Sequence, residues 1–166
     1  MTDLETDPRA RLWELIGKFA AAMLVTRTEG GRLRARPLSL ASAHEGGKLF
    51  FATGLDSPKV DEIEADAEVL VTLQDSSRYV SISGTARISR DRGLIDRLWS
   101  EGWRIWFPEG ERDPSLAIVE VTPREAEYWD QSGARGIKYA LEMVKAYATR
   151  TTPESGASSA NHKVRL

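Results

Sequence analysis

The stretch FATGLDSPKV, residues 51–60, carries the chain from a strand through a glycine-containing turn into a helix. Ser57 stands at the N-cap position and Pro58 at the first helical position, where the missing N–H of proline has no helical bond to lose. The first backbone N–H groups of a helix lack partners, and the helix dipole adds partial positive charge there. Such a turn attracts an anion, and phosphate suits it well. Thr53 and Ser57 add hydroxyls, and Lys59 adds a full charge. A lysine in the first turn opposes the helix dipole, so a nearby anion explains its position better than helix stability does. Upstream, RARPLSL at residues 34–40 supplies Arg36, whose planar fork can donate two hydrogen bonds at once. Each of these residues alone reads as a cap, a solvated strand face or a surface lysine. Together, converging on one helix start, they read as an anion site.

Working outward, Pro8 opens a helix to about Lys18, with Leu12, Leu15, Ile16 and Phe19 at helical spacing. Ala20 to Thr28 reads as a first strand, and Glu29-Gly30-Gly31 as a hairpin turn. Arg32 to Ala41 alternates as a second strand. Glu45-Gly46-Gly47 then turns into a third, Lys48 to Thr53, and the short turns predict an antiparallel meander of the three. A helix from Ser57 to about Ala65 precedes strands at Glu68–Gln74 and Arg78–Ile88. Asp91 to Glu101 reads as a helix, Ser115 to Asp130 contains a long last strand, and Ile137 to Ala148 reads as a closing helix. The expected fold is mainly β with peripheral helices: a six-stranded antiparallel barrel or sandwich.

The chain has 166 residues and a formal net charge of −2. That length predicts one domain over 1–150, and the Ser-, Thr-, Gly- and Ala-rich segment 151–166 reads as a flexible tail. The absence of cysteine excludes disulfides, thiolate metal sites and cysteine nucleophiles. No basic footprint suggests nucleic acid, and no run has the length of a membrane span. The start is acidic and polar, unlike a secretory leader, so a cytoplasmic protein is expected.

The order R-x-R-P-L at 34–38, then F-x-T-x-x-x-S-x-K at 51–59, resembles the flavin-phosphate signature of the pyridoxamine 5′-phosphate oxidase-like superfamily. Gly84 within 78–88, LW at 98–99, WFPEG at 106–110, DP at 113–114, EYWD at 127–130 and GIKYALEMVKAYATR at 136–150 are similar to its general stress protein 26 branch. The resemblance implies an FMN-binding split β-barrel, assembled as a homodimer with flavin sites at the subunit interface. Arg36, Thr53, Ser57 and Lys59 would hold the phosphate, and the backbone of Pro37 and Leu38 would meet the isoalloxazine ring. Trp106 would cover the flavin from the partner subunit. Pro58 stands where the oxidases carry a second basic phosphate ligand, and Tyr79 where they carry a flavin-contacting glutamine. The C-terminal basic and tryptophan pair of those oxidases has no match. The resemblance therefore implies a flavoprotein acting on a small redox substrate rather than a vitamin B6 oxidase. A deazaflavin (F420) or FAD in place of FMN, and a non-enzymatic flavin-binding or storage dimer, stay open.

Other candidates read as structure. Trp99 and Trp103 are expected in the core or a dimer contact. Asp61, Glu62, Glu64 and Asp66 read as a solvated acidic face. His44 and His162 have no metal-ligand partner at suitable spacing. No catalytic acid or base is assigned.

Overall fold

The structure is a computed structural model and describes residues 7–41, 45–150 and 161–166. His44 and residues 151–160 of the expected tail lie outside the described residues. Helix α1 (Pro8–Ile16) starts where Asp7 accepts a hydrogen bond from the Arg9 N–H, and it buries Leu12, Leu15 and Ile16. Strands β1 (Ala21–Arg27) and β2 (Leu33–Ser39) form a hairpin whose turn places Gly31 at φ 79°. After β3 (Leu49–Gly54) come α2 (Pro58–Ala65), β4 (Glu68–Gln74), β5 (Arg78–Ser89) and α3 (Arg92–Leu98). Short 3-10 turns span Glu101–Ile105 and Gly110–Arg112, followed by β6 (Leu116–Asp130), α4 (Gly133–Thr149) and β7 (Asn161–Arg165). Among the described residues no helix is long and apolar enough to cross a membrane.

The strands form one antiparallel sheet in the order β2-β1-β4-β5-β6-β3, with β7 also on β6. The sheet curls into a split β-barrel, so that its end strands β2 and β3 face each other. They meet at an isolated bridge, Leu40–Phe51. The meander expected of the first three strands does not form, because β3 pairs with β6 and not with β2. Burial explains this. Leu49, Phe50 and Phe51 are all buried, as is every residue from Leu116 to Val121, so neither strand has a wet face where the two pair. Leu49 and Phe51 join Val119 and Val121 in the barrel interior, with Leu24, Val71 and Ile82. Phe50 points the other way, into a second core with Leu116, Ile118, Ile95 of α3 and Trp103. Both faces of β3 are thus covered, one by the barrel interior and the other by the second core.

The expected tail is also corrected. Residues 161–165 are a seventh strand, in register with Glu125–Trp129 of β6. Val164 is buried, the His162 ring stacks on Tyr128 at 5.0 Å, and the Leu166 N–H donates to the Arg124 carbonyl at 2.9 Å. A polar composition hid this strand, since only Val164 and Leu166 carry its apolar contacts. Deleting residues 161–166 should cost about 2–4 kcal/mol, the scale of burying one or two aliphatic side chains. A lower urea midpoint with native-like circular dichroism is the expected reading; an unchanged midpoint would show β7 to be ornamental.

Candidate functional site

The split between β2 and β3 opens into a cleft of about 480 Å³, within the range of small-molecule sites. Pro37, Leu38 and Ser39 form one wall, Ala52, Thr53 and Gly54 the other, and Trp103, Trp106 and Phe107 an aromatic side. Asp56 and Lys59 stand at its polar end. Elements from three places in the sequence thus converge on one space, and each does so for a reason in its own chemistry. Pro37 sits on the outer edge of β2, where its missing N–H removes no ladder bond. Trp103 is anchored in the second core, edge-on to Trp99 at 5.9 Å, and it holds the segment that carries the exposed Trp106.

At the polar end, Lys59 Nζ donates to Thr53 Oγ1 at 3.1 Å and to Ser57 Oγ. Ser57 does occupy the N-cap position, with extended backbone, yet its hydroxyl makes no capping bond. That hydroxyl is turned to the lysine instead. Among the described residues no carboxylate lies within ion-pair distance of Lys59, although its side chain is half-buried. Burial lowers the Lys59 pKa from its ordinary value, and the positive charge of Arg36 lowers it further against weaker opposition from Asp56 and Glu62. A half-buried ammonium with only hydroxyl partners is a cation short of an anion.

Arg36 is placed differently from expectation. Its Nη1 donates to Thr26 Oγ1 at 2.5 Å and its Nη2 to Glu62 Oε2 at 2.6 Å. The guanidinium therefore reaches α2, but it binds a carboxylate there. Glu62 corrects the reading of α2 as a wholly solvated acidic face: it is 8% exposed, while Asp61 and Glu64 remain exposed. Burial pushes the Glu62 carboxyl up, and the hydrogen bonds from Thr26 and Arg36 more than offset this, leaving it below the usual range. Sequence reasoning missed Glu62, although it lies three residues after Lys59 and hence on the same side of a helix. It missed Asp56 as well, which faces the cleft from the turn.

The structure thus brings Thr53, Ser57 and Lys59 together, and it puts Pro37, Leu38 and Trp106 on the same cleft. Trp106, 65% exposed, is among the residues lining the cleft of its own chain. Tyr79 is on the outer face of β5 and does not line the cleft. A second hollow, of about 390 Å³, lies on β5–β7 among Ser81, Ser83, Glu125, Glu127, Lys163 and Arg165. Its wall is polar and its charges face each other, with Arg165 and Glu125 3.9 Å apart. Unlike the β2–β3 cleft, it has no aromatic residue in its lining. Among the described residues no group of His, Asp or Glu is arranged to hold a metal ion.

The sequence profile described as pyridoxamine 5′-phosphate oxidase like matches residues 7–154. The chain belongs to that family. Protein bli-3 of Neurospora crassa is 29% identical over 119 residues, covering 64% of this chain and 57% of the relative. General stress protein 26 of Bacillus subtilis is 31% identical over 87 residues, covering 49% of this chain and 61% of the relative. The matched stretches span less than two thirds of either curated relative. Among solved structures, one described as a general stress protein 26 from Jannaschia sp. CCS1 superposes with a TM-score of 0.73 at 25% identity, over 93% of this chain and 96% of that one. A general stress FMN/FAD binding protein from Xanthomonas citri superposes with a TM-score of 0.64 at 25% identity, over 75% and 89% of the two chains. Both support the split-barrel fold of this pyridoxamine 5′-phosphate oxidase-like protein.

The family implies a flavin, and the cleft fits one on its own chemistry. One end offers an ammonium and two hydroxyls to a phosphate; the rest offers Pro37, Leu38 and an indole to a flat aromatic ring. Arg36 commits two N–H donors to Thr26 and Glu62, and a guanidinium has five.

Proposed function

We propose that this protein binds FMN in the β2–β3 cleft and works as a cytoplasmic homodimeric flavoprotein of the general stress protein 26 type, acting as an oxidoreductase on a small molecule. The observation that carries this reading is the Lys59 ammonium, half-buried beside Thr53 and Ser57 with no carboxylate partner among the described residues. A bound flavin supplies the electron-transfer chemistry. The chain's own residues orient and enclose it: Lys59, Thr53 and Ser57 take the phosphate, Arg36 adds charge beside them, and Pro37, Leu38 and Trp106 border the ring. The titratable residues of the cleft lining, Asp56 and Lys59, stand at its phosphate end, so substrate oxidation or reduction would run on the cofactor. The unmatched basic and tryptophan pair argues against pyridoxamine phosphate as the substrate, and Pro58 and Tyr79, at positions where the oxidases carry flavin contacts, favour the alternative of a non-enzymatic flavin-binding dimer.

A second copy is supported by the outer face of the sheet. There Leu33 is 69% exposed, and Pro37 on the same strand, Met23 on β1 and Leu70 on β4 share its face. Pro37 belongs to this apolar face and to the cleft, so a partner seated on the face would border the flavin. Light scattering tests the assembly directly.

The decisive test is a titration of the purified protein with FMN, followed by the visible flavin spectrum and by thermal melting. A shifted spectrum and a rise in Tm with FMN are expected; a colourless protein indifferent to FMN would sink the reading. F420 and FAD, titrated beside FMN, identify the preferred cofactor.

A further inference from the structure

Glu62 is a buried acidic residue next to a site read here as one for an anion, an arrangement that simple charge complementarity would disfavour. Its Oε2 accepts hydrogen bonds from Thr26 Oγ1 at 2.5 Å and from Arg36 Nη2 at 2.6 Å, and its Oε1 accepts from Arg34 Nη1 at 3.1 Å. Thr26 Oγ1 also accepts from Arg36 Nη1 at 2.5 Å. One edge of the Arg36 guanidinium is therefore gripped by acceptors from two elements, β1 and α2. The grip is itself buried, with Thr26 at 1% exposure. Three N–H donors of Arg36 are left outside it. Lys59 is one helical turn before Glu62 on α2, so the helix that carries the cleft cation also carries the group that aims Arg36.

We propose that Glu62 is a positioning residue for the phosphate: its carboxylate clamps Arg36 by one edge so that the free donors of the guanidinium act with Lys59 on a single anion. This rests on the flavin reading and goes beyond it by assigning phosphate selectivity to a residue that does not touch the ligand. Geometry and charge make opposite demands here. As a charge, Glu62 repels phosphate; as a clamp, it fixes the arginine that binds phosphate. Conservative variants separate the two. Glu62→Asp keeps the charge and shortens the arm by one methylene, which withdraws the clamp. Glu62→Gln keeps the length and an acceptor oxygen for Arg36 and Thr26, and it removes the charge.

The readout is the ratio of riboflavin Kd to FMN Kd, because riboflavin shares the ring and lacks the phosphate. For Glu62→Asp, FMN binding should weaken about tenfold, the scale of one charge-assisted hydrogen bond, while riboflavin binding stays the same. Glu62→Gln should keep the wild-type ratio or raise it. Thr26→Val removes the second acceptor and should lower the ratio as Glu62→Asp does, which keeps the question answerable if Glu62→Asp fails to fold. Equal weakening of FMN and riboflavin would mean a purely structural role and overturn the proposal. A Glu62→Asp protein with the wild-type ratio would overturn it too. Wild-type protein that binds neither flavin would remove the flavin reading and this inference with it, whereas wild-type FMN binding with an unmoved ratio removes the inference alone.

Discussion

Replacing Lys59 by methionine should weaken FMN binding by roughly 30- to 150-fold, the equivalent of about 2–3 kcal/mol for a lost hydrogen bond to a charged group. Riboflavin binding should change little, since the apolar walls of the cleft are untouched. The same substitution should leave the ligand-free protein at least as heat-stable as before. Burial and the neighbouring Arg36 hold the Lys59 pKa below its ordinary value, so the folded state disfavours its protonated form. The sign follows: at neutral pH the charged lysine opposes folding, and that opposition fades as pH rises through its lowered folded pKa. FMN affinity should fall over that same rise, at lower pH than an ordinary lysine would give. A function retained at some cost in stability is the usual mark of a binding residue. Isothermal titration with the two flavins and a melting curve of the ligand-free protein check both halves. Undiminished FMN affinity in the variant would exclude Lys59 from the phosphate site.

Replacing Gly84 by alanine should be the most damaging single-methyl change in the sheet. A Cβ built on Gly84 lies 2.2 Å from the Thr122 carbonyl oxygen and 3.0 Å from the Pro123 Cα. Both obstacles are backbone, and both belong to β6 where its pairing with β5 shifts register between Ser83 and Gly84. No side-chain rotation relieves the contact, so the two strands must part at the point where they hold the barrel together. The expected loss is about 3 kcal/mol or more, read from urea unfolding, or failure to accumulate as soluble protein. Ser83→Ala, one residue away and half-buried, should cost far less. Similar stability for the two variants would mean that the bulge relaxes easily.

What the sequence could tell depended on how local the cause was. The strand at Glu68–Gln74 was legible to the residue because its alternation is set by one buried face. The Gly31 turn and the Pro58 helix start were legible because backbone geometry dictates them. The partner of β3 was not, since a strand covered on both sides carries no alternation to read and sequence neighbours suggested a meander. β7 was obscured by the polar residues around its one buried valine. At the site, the gathering of Thr53, Ser57 and Lys59 could be read from a strand-turn-helix pattern. The engagement of Arg36 with Glu62 could not, for it depends on the register that sets Arg36 opposite Leu24 and on the packing of α2 across β1. Trp106 was legible as a flavin-site residue from its motif, and the fold places it on the cleft.

The bridge at Leu40–Phe51 is the place where the barrel stops closing. Beyond it, the facing edges of β2 and β3 border the cleft, at Leu38 and Ser39 on one side and Thr53 and Gly54 on the other. A substitution can alter a side chain at these positions, yet it leaves the amide and carbonyl of the seam in place. That seam is thereby sheltered from genetic drift, while the charged end at Lys59 and Asp56 is built from replaceable parts. Descendants of such a chain can change the charged end of the cleft without rebuilding the seam.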